Sequence, residues 1–257
     1  MSSPRLTFLG TGTSHGIPVI ACSCAVCQSS DPRNQRFRSS VLIEWQGKTL
    51  LIDTPPELRL QLVRAKVSHL DAILYTHTHA DHIFGLDDVR VFSGRQHAPL
   101  PVYGMARSLE NLQRQFFYIF TETPMGGGKP QLDLRTIEPL DQPFRAADVS
   151  VQPIPVWHGP TPVLGYRFGD VAYVTDTNNI PEASLGLLQG LEILVLDALR
   201  HRTHPTHYSI SEALAVVEQL KPRQTYFTHM CHDLDHAETG RQLPPNVQLA
   251  YDGLILE

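Results

Sequence analysis

Hydrophobic residues along this chain fall in short runs bounded by turn formers, and the runs are of two kinds. Period-two alternation, or a brief continuous apolar stretch, predicts strands over 5–10 (RLTFLG), 40–45 (SVLIEW), 49–53 (TLLID), 72–76 (AILYT), 101–104 (PVYG), 149–156 (VSVQPIPV), 164–168 (LGYRF), 171–176 (VAYVTD), 192–198 (EILVLDA) and 224–229 (QTYFTH). Turn chemistry at Gln46-Gly47-Lys48 and at Gly169-Asp170 joins two pairs of them as antiparallel hairpins. Helical spacing predicts helices over 55–66, 108–120 and 209–221. In the last, Ser209 and Glu212 form a capping box and Pro222 stops the helix. Within 108–120, the run FFYIF (116–120) reads as a core face rather than a subunit contact. Hairpins exclude a barrel of purely parallel strands.

The polar residues that end these strands are of few types. Asp53 ends LLID, His77 follows AILYT, His158 follows IPVW, Asp176 ends YVTD and His229 ends TYFTH. One such ending is ordinary. Five predict a shared rim at one sheet edge, where mixed α/β sheets place their sites.

Composition narrows the class. The chain has 257 residues, 42% of them hydrophobic and 18% charged, enough apolar material for a large core. The formal net charge of −5, with no Lys/Arg-rich run, argues against a broad nucleic-acid surface. No apolar stretch reaches the about 18 residues that a membrane span needs, and the N-terminal MSSPRLTFLGTG does not read as a secretory signal. The expected setting is the cytoplasm, where the four cysteines are thiols or metal ligands rather than disulfides. The glycine-rich PMGGGKP (124–130) lacks the Gly-x4-Gly-Lys-Ser/Thr pattern of a phosphate loop and reads as a flexible connection.

The densest donor set is HTHADH, 77–82. In extended backbone His77 and His79 face the same way, with Asp81 next on that side, and a helix starting at IFGLDDV would swing His82 round to a neighbouring position. Imidazole and carboxylate donors without a thiolate suit Zn, Mn or Fe. Three further thiols lie in CSCAVC as Cys22, Cys24 and Cys27. A disulfide within Cys-x-Cys is geometrically poor, so the loop at about 20–30 suits a structural zinc lacking one ligand. Cys231, His232, His236 and His15 are its candidates.

The ordered set His77, His79, Asp81, His82, His158, Asp176 and His229 resembles the metallo-β-lactamase superfamily over nearly the whole chain. The resemblance implies one αββα sandwich domain spanning 1–257, with two mixed sheets flanked by helices. It also implies two active-site divalent metals: His77, His79 and His158 hold one, Asp81, His82 and His229 the other, and Asp176 bridges. Asp53 matches an aspartate that orients a histidine. Two such cations would acidify a bridging water and stabilise charge on the electrophile.

GTGTSHGIP (10–18), the cysteine loop, THTHADH and THMCH together look like the PhnP-type cyclic phosphodiesterases, whose substrates are 5-phosphoribosyl 1,2-cyclic phosphate and 2′,3′-cyclic nucleotides. That resemblance makes His232 the fourth ligand of the structural zinc, ahead of Cys231, and His207 the general acid beside the catalytic Asp81. It also implies a homodimer. His201 and His204 read as surface histidines, Arg200 and Arg202 as a solvated pair rather than a greeting for a substrate phosphate, and Trp157 as a wall of the site or a packing residue. The expected activity is hydrolysis of a small cyclic phosphodiester. Alternatives are tRNA 3′-processing, which would need a basic arm not seen here, a lactonase or thioester hydrolase on the same fold, and a metal-loaded binding protein without turnover.

Overall fold

The computed structural model describes residues 3–122 and 128–257. Most of the glycine-rich 124–130 segment therefore lies outside the described residues. In chain order the strands are β1 (Arg5–Gly10), β2 (Ser40–Trp45), β3 (Lys48–Ile52), β4 (Ala72–Leu74), β5 (Leu100–Gly104), β6 (Leu132–Thr136), β7 (Phe144–Ala146), β8 (Val149–His158), β9 (Thr161–Phe168), β10 (Val171–Val174), β11 (Ile193–Asp197), β12 (Gln224–Thr228), β13 (Val247–Leu249) and β14 (Ile255–Leu256). They form two seven-stranded sheets, ordered β14-β1-β2-β3-β4-β5-β6 and β13-β12-β11-β10-β9-β8-β7. Both sheets are mixed. The β2–β3 and β9–β10 hairpins are antiparallel, while β3 to β6 and β10 to β13 run parallel.

Alternation explains how the sheets meet. Leu6, Phe8, Val41, Ile43, Leu50 and Ile52 from the first sheet bury against Val151, Leu164, Tyr166, Phe168, Tyr173 and Val195 from the second. The outer faces are covered by helices. Helix α1 (Leu58–Arg64) and helix α4 (Ala106–Gln115) lie on the first sheet; between them come α2 (Ala80–Ile83) and α3 (Arg90–Gln96). Further along, α5 (Phe117–Phe120) continues from α4, and α6 (Glu182–Leu187) and α7 (Ile210–Leu220) bury against the second sheet. The result is the expected helix–sheet–sheet–helix sandwich.

Several elements depart from the sequence reading. The 108–120 helix is two, broken at Phe116 (φ −111, ψ 39). FFYIF is not one core face: Phe116 and Ile119 are buried, while Phe117, Tyr118 and Phe120 are exposed. The short strands β6, β7, β13 and β14 were not expected, because two- to five-residue edge strands carry little periodicity. Ser209 does cap α7 through the reciprocal box with Glu212, and Lys221, in the left-handed region just before Pro222, ends it.

Candidate metal centre

The parallel strands bring their C-terminal ends to one edge of the sandwich. Three rim residues leave their strands through a left-handed kink: Asp53 (φ 61), Asp176 (φ 52) and His229 (φ 58). Non-glycine residues rarely hold such angles, and each costs on the order of 1 kcal/mol or more. The kinks turn the chain at the strand end, and all three side chains are buried there.

The HTHADH segment is less extended than expected. β4 ends at Leu74, and α2 begins at Ala80 with His79 as its N-cap residue. Asp81 is therefore helical and does not continue the alternation of His77 and His79. Their donor atoms join two groups, each within 4.8 Å: His77, His79 and His158, and then Asp81, His82, Asp176 and His229; His207 also falls within 4.8 Å of His158 and Asp176, and of Asp197 and His229. His77 Nε2 lies 2.9 Å from His79 Nδ1. Asp176 faces both groups, with Oδ1 3.3 Å from His82 Nε2 and Oδ2 3.3 Å from His229 Nε2 and 3.8 Å from His77 Nε2. Glycines let the supports approach: a Cβ on Gly85 would fall 2.1 Å from Pro55 O, and one on left-handed Gly159 would fall 2.7 Å from Thr206 Cγ2.

Acceptors on the far ring nitrogens set the tautomers. His82 Nδ1 donates to Asp53 Oδ2 at 2.7 Å, and the same carboxylate accepts from Thr76 N and Thr76 Oγ1. His158 Nδ1 donates to Thr206 O at 2.7 Å. His207 Nδ1 donates to Asp197 Oδ2 at 2.7 Å, and Thr177 N donates to the same oxygen. Asp197 and Thr206 were missed in the sequence. Asp197 ends LVLD at the tip of β11, a sixth polar strand ending that the rim pattern could have included; a backbone carbonyl such as that of Thr206 leaves no sequence signal.

The charge balance fits divalent cations. Asp53, Asp81, Asp176 and Asp197 are all buried, and among the described residues their ion-pair partners are histidines alone. Buried carboxylates without compensating cations are costly. His82 Nε2 and both His229 ring nitrogens have no hydrogen-bond partner. Such buried orphans lose a hydrogen bond's worth of solvation, which a metal would restore at His82 Nε2 and at one nitrogen of His229. Burial alone would lower His82, but Asp176, Asp81 and Asp53 outweigh it and push it well above its usual range. Burial holds His77 and His158 below theirs. Burial opposes ionisation of Asp176, yet His229 and His82 keep it well below the carboxylate range.

His207 is buried beside this cluster, its ring stacked on His229 at 4.6 Å between centroids and 4.5 Å from His158. Burial would lower it; Asp197 more than offsets this and raises it to about 9. A cleft of about 210 Å³ opens from His207 past His204, Arg200 and Arg202. Arg200 is only partly exposed and donates to Arg202 O and Thr203 O, so it is not the freely solvated residue expected. Trp157, next to His158, is 39% exposed.

A separate cluster gathers the cysteine loop. Cys22, Cys24 and Cys27 sulfurs lie 3.2, 3.5 and 3.6 Å from His232 Nδ1. Cys231 and His236 are outside that set, and His15 is exposed. The backbone N–H of Cys27 lowers Cys24 to about 6, while burial pushes Cys27 up to about 11. Three sulfurs around one imidazole nitrogen suit a tetrahedral zinc. Arg36, also missed in the sequence, is buried and donates to Cys231 O, Leu234 O and Asn34 Oδ1, so it holds the turn between His229 and Leu234.

Comparison with known proteins agrees with this fold. A crystal structure of a diphosphatase from the PhnP family superposes with a TM-score of 0.90 at 46% identity, covering 98% of this chain and 96% of that one. A ribonuclease Z of Anoxybacillus flavithermus is 26% identical over 96% of this chain and 95% of its own length. An octanoyltransferase of Porphyromonas gingivalis is 38% identical over 97% of this chain, which spans only 51% of that relative. The fold, the diphosphatase and the ribonuclease Z support a metal-dependent hydrolase, whereas the third relative bears a transferase's name. The β-lactamase superfamily domain matches residues 48–230, and the chain belongs to that superfamily.

Proposed function

We propose that residues 1–257 act as one hydrolase domain that cleaves a P–O bond in a small phosphodiester, with a cyclic phosphodiester such as a 2′,3′-cyclic nucleotide or a phosphoribosyl 1,2-cyclic phosphate as substrate. The observation that carries the reading is the pairing of two donor groups around Asp176 with His207 held next to them by Asp197. His77, His79 and His158 would hold one divalent ion, Asp81, His82 and His229 the other, with Asp176 between. Zn, Mn and Fe all suit these donors. Such ions supply Lewis acidity toward phosphoryl oxygens and lower the pKa of water.

The chain's own residues do the rest. Asp53 and the Thr206 carbonyl hold the Nδ1 protons of His82 and His158, which would leave their Nε2 atoms to face a metal when one is bound. His207 carries a proton that it delivers to the leaving alkoxide, and Asp197 holds its ring for that transfer. Cys22, Cys24, Cys27 and His232 would hold a structural zinc that ties the N-terminal loop to the end of β12.

A second reading is hydrolysis of a diphosphate, favoured by the 46% identical diphosphatase. The same cluster would serve both, since each breaks a P–O bond at a tetrahedral phosphorus. The net charge of −5 leaves no basic arm for tRNA. Turnover of 2′,3′-cyclic AMP, bis-p-nitrophenyl phosphate, ADP-ribose, a tRNA precursor, a lactone and an octanoyl thioester on protein of known metal content separates the readings. Cleavage of the cyclic phosphodiester is expected. Cleavage of ADP-ribose alone would select the diphosphate reading, and cleavage of a lactone or thioester alone would overturn both.

A further inference from the structure

His82, His158 and His207 each meet a carboxylate or a backbone carbonyl through Nδ1, whereas His77 meets a hydroxyl. His77 is buried, and its Nε2 lies 2.9 Å from His79 Nδ1 and 3.8 Å from Asp176 Oδ2. Its other ring nitrogen, Nδ1, lies 3.0 Å from Thr76 Oγ1. Thr76 is wholly buried just after β4, and both of its backbone groups are held. Its N–H donates to Asp53 Oδ1 at 2.9 Å, and its carbonyl accepts from Leu164 N, in the facing sheet, at 3.0 Å. The hydroxyl therefore sits between two fixed groups, Asp53 Oδ2 at 2.7 Å and His77 Nδ1.

Counting protons gives each bond a direction. A hydroxyl has one proton to give and lone pairs to accept with, while a carboxylate only accepts. Asp53 already accepts from Thr76 N and His82 Nδ1. The Thr76 proton goes to Asp53, so its oxygen accepts the Nδ1 proton of His77. His77 Nε2 is then left with its lone pair on the side of His79 and Asp176, where the donors converge. We propose that Thr76 is a positioning residue for the His77, His79 and His158 group, and that Asp53 Oδ2 orients a histidine in each donor group: His82 directly and His77 through the Thr76 hydroxyl. The inference rests on the two-ion reading above and deepens it, because the two halves of the cluster then share one buried acceptor.

The test uses wild type, Thr76→Val and Thr76→Ser, loaded with zinc alone. Valine keeps the branched shape and the backbone bond to Asp53 but lacks the hydroxyl; serine restores it. Heteronuclear NMR of histidine-labelled wild type is expected to show the His77 proton on Nδ1, protected from exchange. A wild type without that proton on Nδ1 would overturn the proposal before any variant is made. In Thr76→Val the His77 nitrogen shifts should move and the proton lose its protection, and both should return in Thr76→Ser. Competition with a chelator should show one cluster ion held about 10–100-fold more weakly in Thr76→Val, the usual loss when a metal-bound histidine loses its hydrogen-bond partner. Thr76→Ser should bind as wild type does. Unchanged zinc affinity in Thr76→Val, or an equal loss in Thr76→Ser, overturns the proposal. So does a lower melting temperature with the His77 shifts unmoved, which is the mark of a packing role. Should Thr76→Val fail to fold, the wild-type spectrum and the affinity of Thr76→Ser decide the matter. None of these readouts uses turnover: if they behave as expected and no cyclic phosphodiester is cleaved, the phosphodiesterase reading falls and the role of Thr76 stands.

Discussion

Each half of the sandwich ends a strand on an aspartate that accepts a histidine Nδ1 proton at 2.7 Å: Asp53 with His82 at the tip of β3, and Asp197 with His207 at the tip of β11. The device is the same, but its setting is not. His82 is wholly buried, and its Nε2 meets Asp81 and Asp176. His207 keeps 8% of its surface at the mouth of the Arg200 cleft. On the proposed reading, one orientation device would serve two chemistries, a metal ligand at His82 and a proton donor at His207. Both histidines come near Asp176, so what differs is that His207 reaches the cleft and His82 does not.

The comparison breaks most visibly at the residue between the two dyads. Asp176→Ala is expected to remove metal from the cluster and leave turnover undetectable, read by elemental analysis alongside a cyclic-phosphodiester assay. A variant that keeps its metal and its rate would refute the bridging position. His207→Ala comes next: loss of a general acid lowers kcat by about 10²–10⁴-fold with metal content unchanged. Metal lost together with rate would mean that His207 is a ligand, and the contrast between the dyads would vanish.

Replacing each aspartate sharpens the distinction. Asp53→Asn should weaken metal binding by about 10–100-fold, because His82 loses the partner that fixes its tautomer. Asp197→Asn should retain metal and act on the rate. Its pH profile supplies the sign. A general acid works protonated, so the rate falls as pH rises through the His207 pKa, and Asp197 raises that pKa. Removing the carboxylate should move the alkaline limb to lower pH; an unmoved limb would assign it to another group. The smallest effect on chemistry belongs to Cys24→Ser, which should lower the melting temperature more than it lowers kcat.

Much of this was legible in the sequence because the first dyad's half of the site is local. His77, His79, Asp81 and His82 fall within six residues, and the strand endings at Asp53, His158, Asp176 and His229 follow apolar runs that alternation identifies. The second dyad was only half seen. His207 was placed by the PhnP-type resemblance, whereas Asp197 looked like any aspartate after a buried strand. The left-handed kinks at Asp53, Asp176 and His229 were invisible: Asp and His adopt such angles more readily than most residues, but tertiary packing decides at which positions they do. The break at Phe116 was hidden for a similar reason: the aromatic run satisfies a helical pattern, but its side chains divide between core and surface.

The most direct measurement is elemental analysis paired with turnover of 2′,3′-cyclic AMP, on wild type and His82→Ala. The donor groups predict two ions at the His/Asp cluster and one at the cysteine cluster, with His82→Ala losing cluster metal and turnover together while the cysteine-bound ion stays. Full turnover from metal-stripped protein, or from His82→Ala without its cluster metal, would contradict the account.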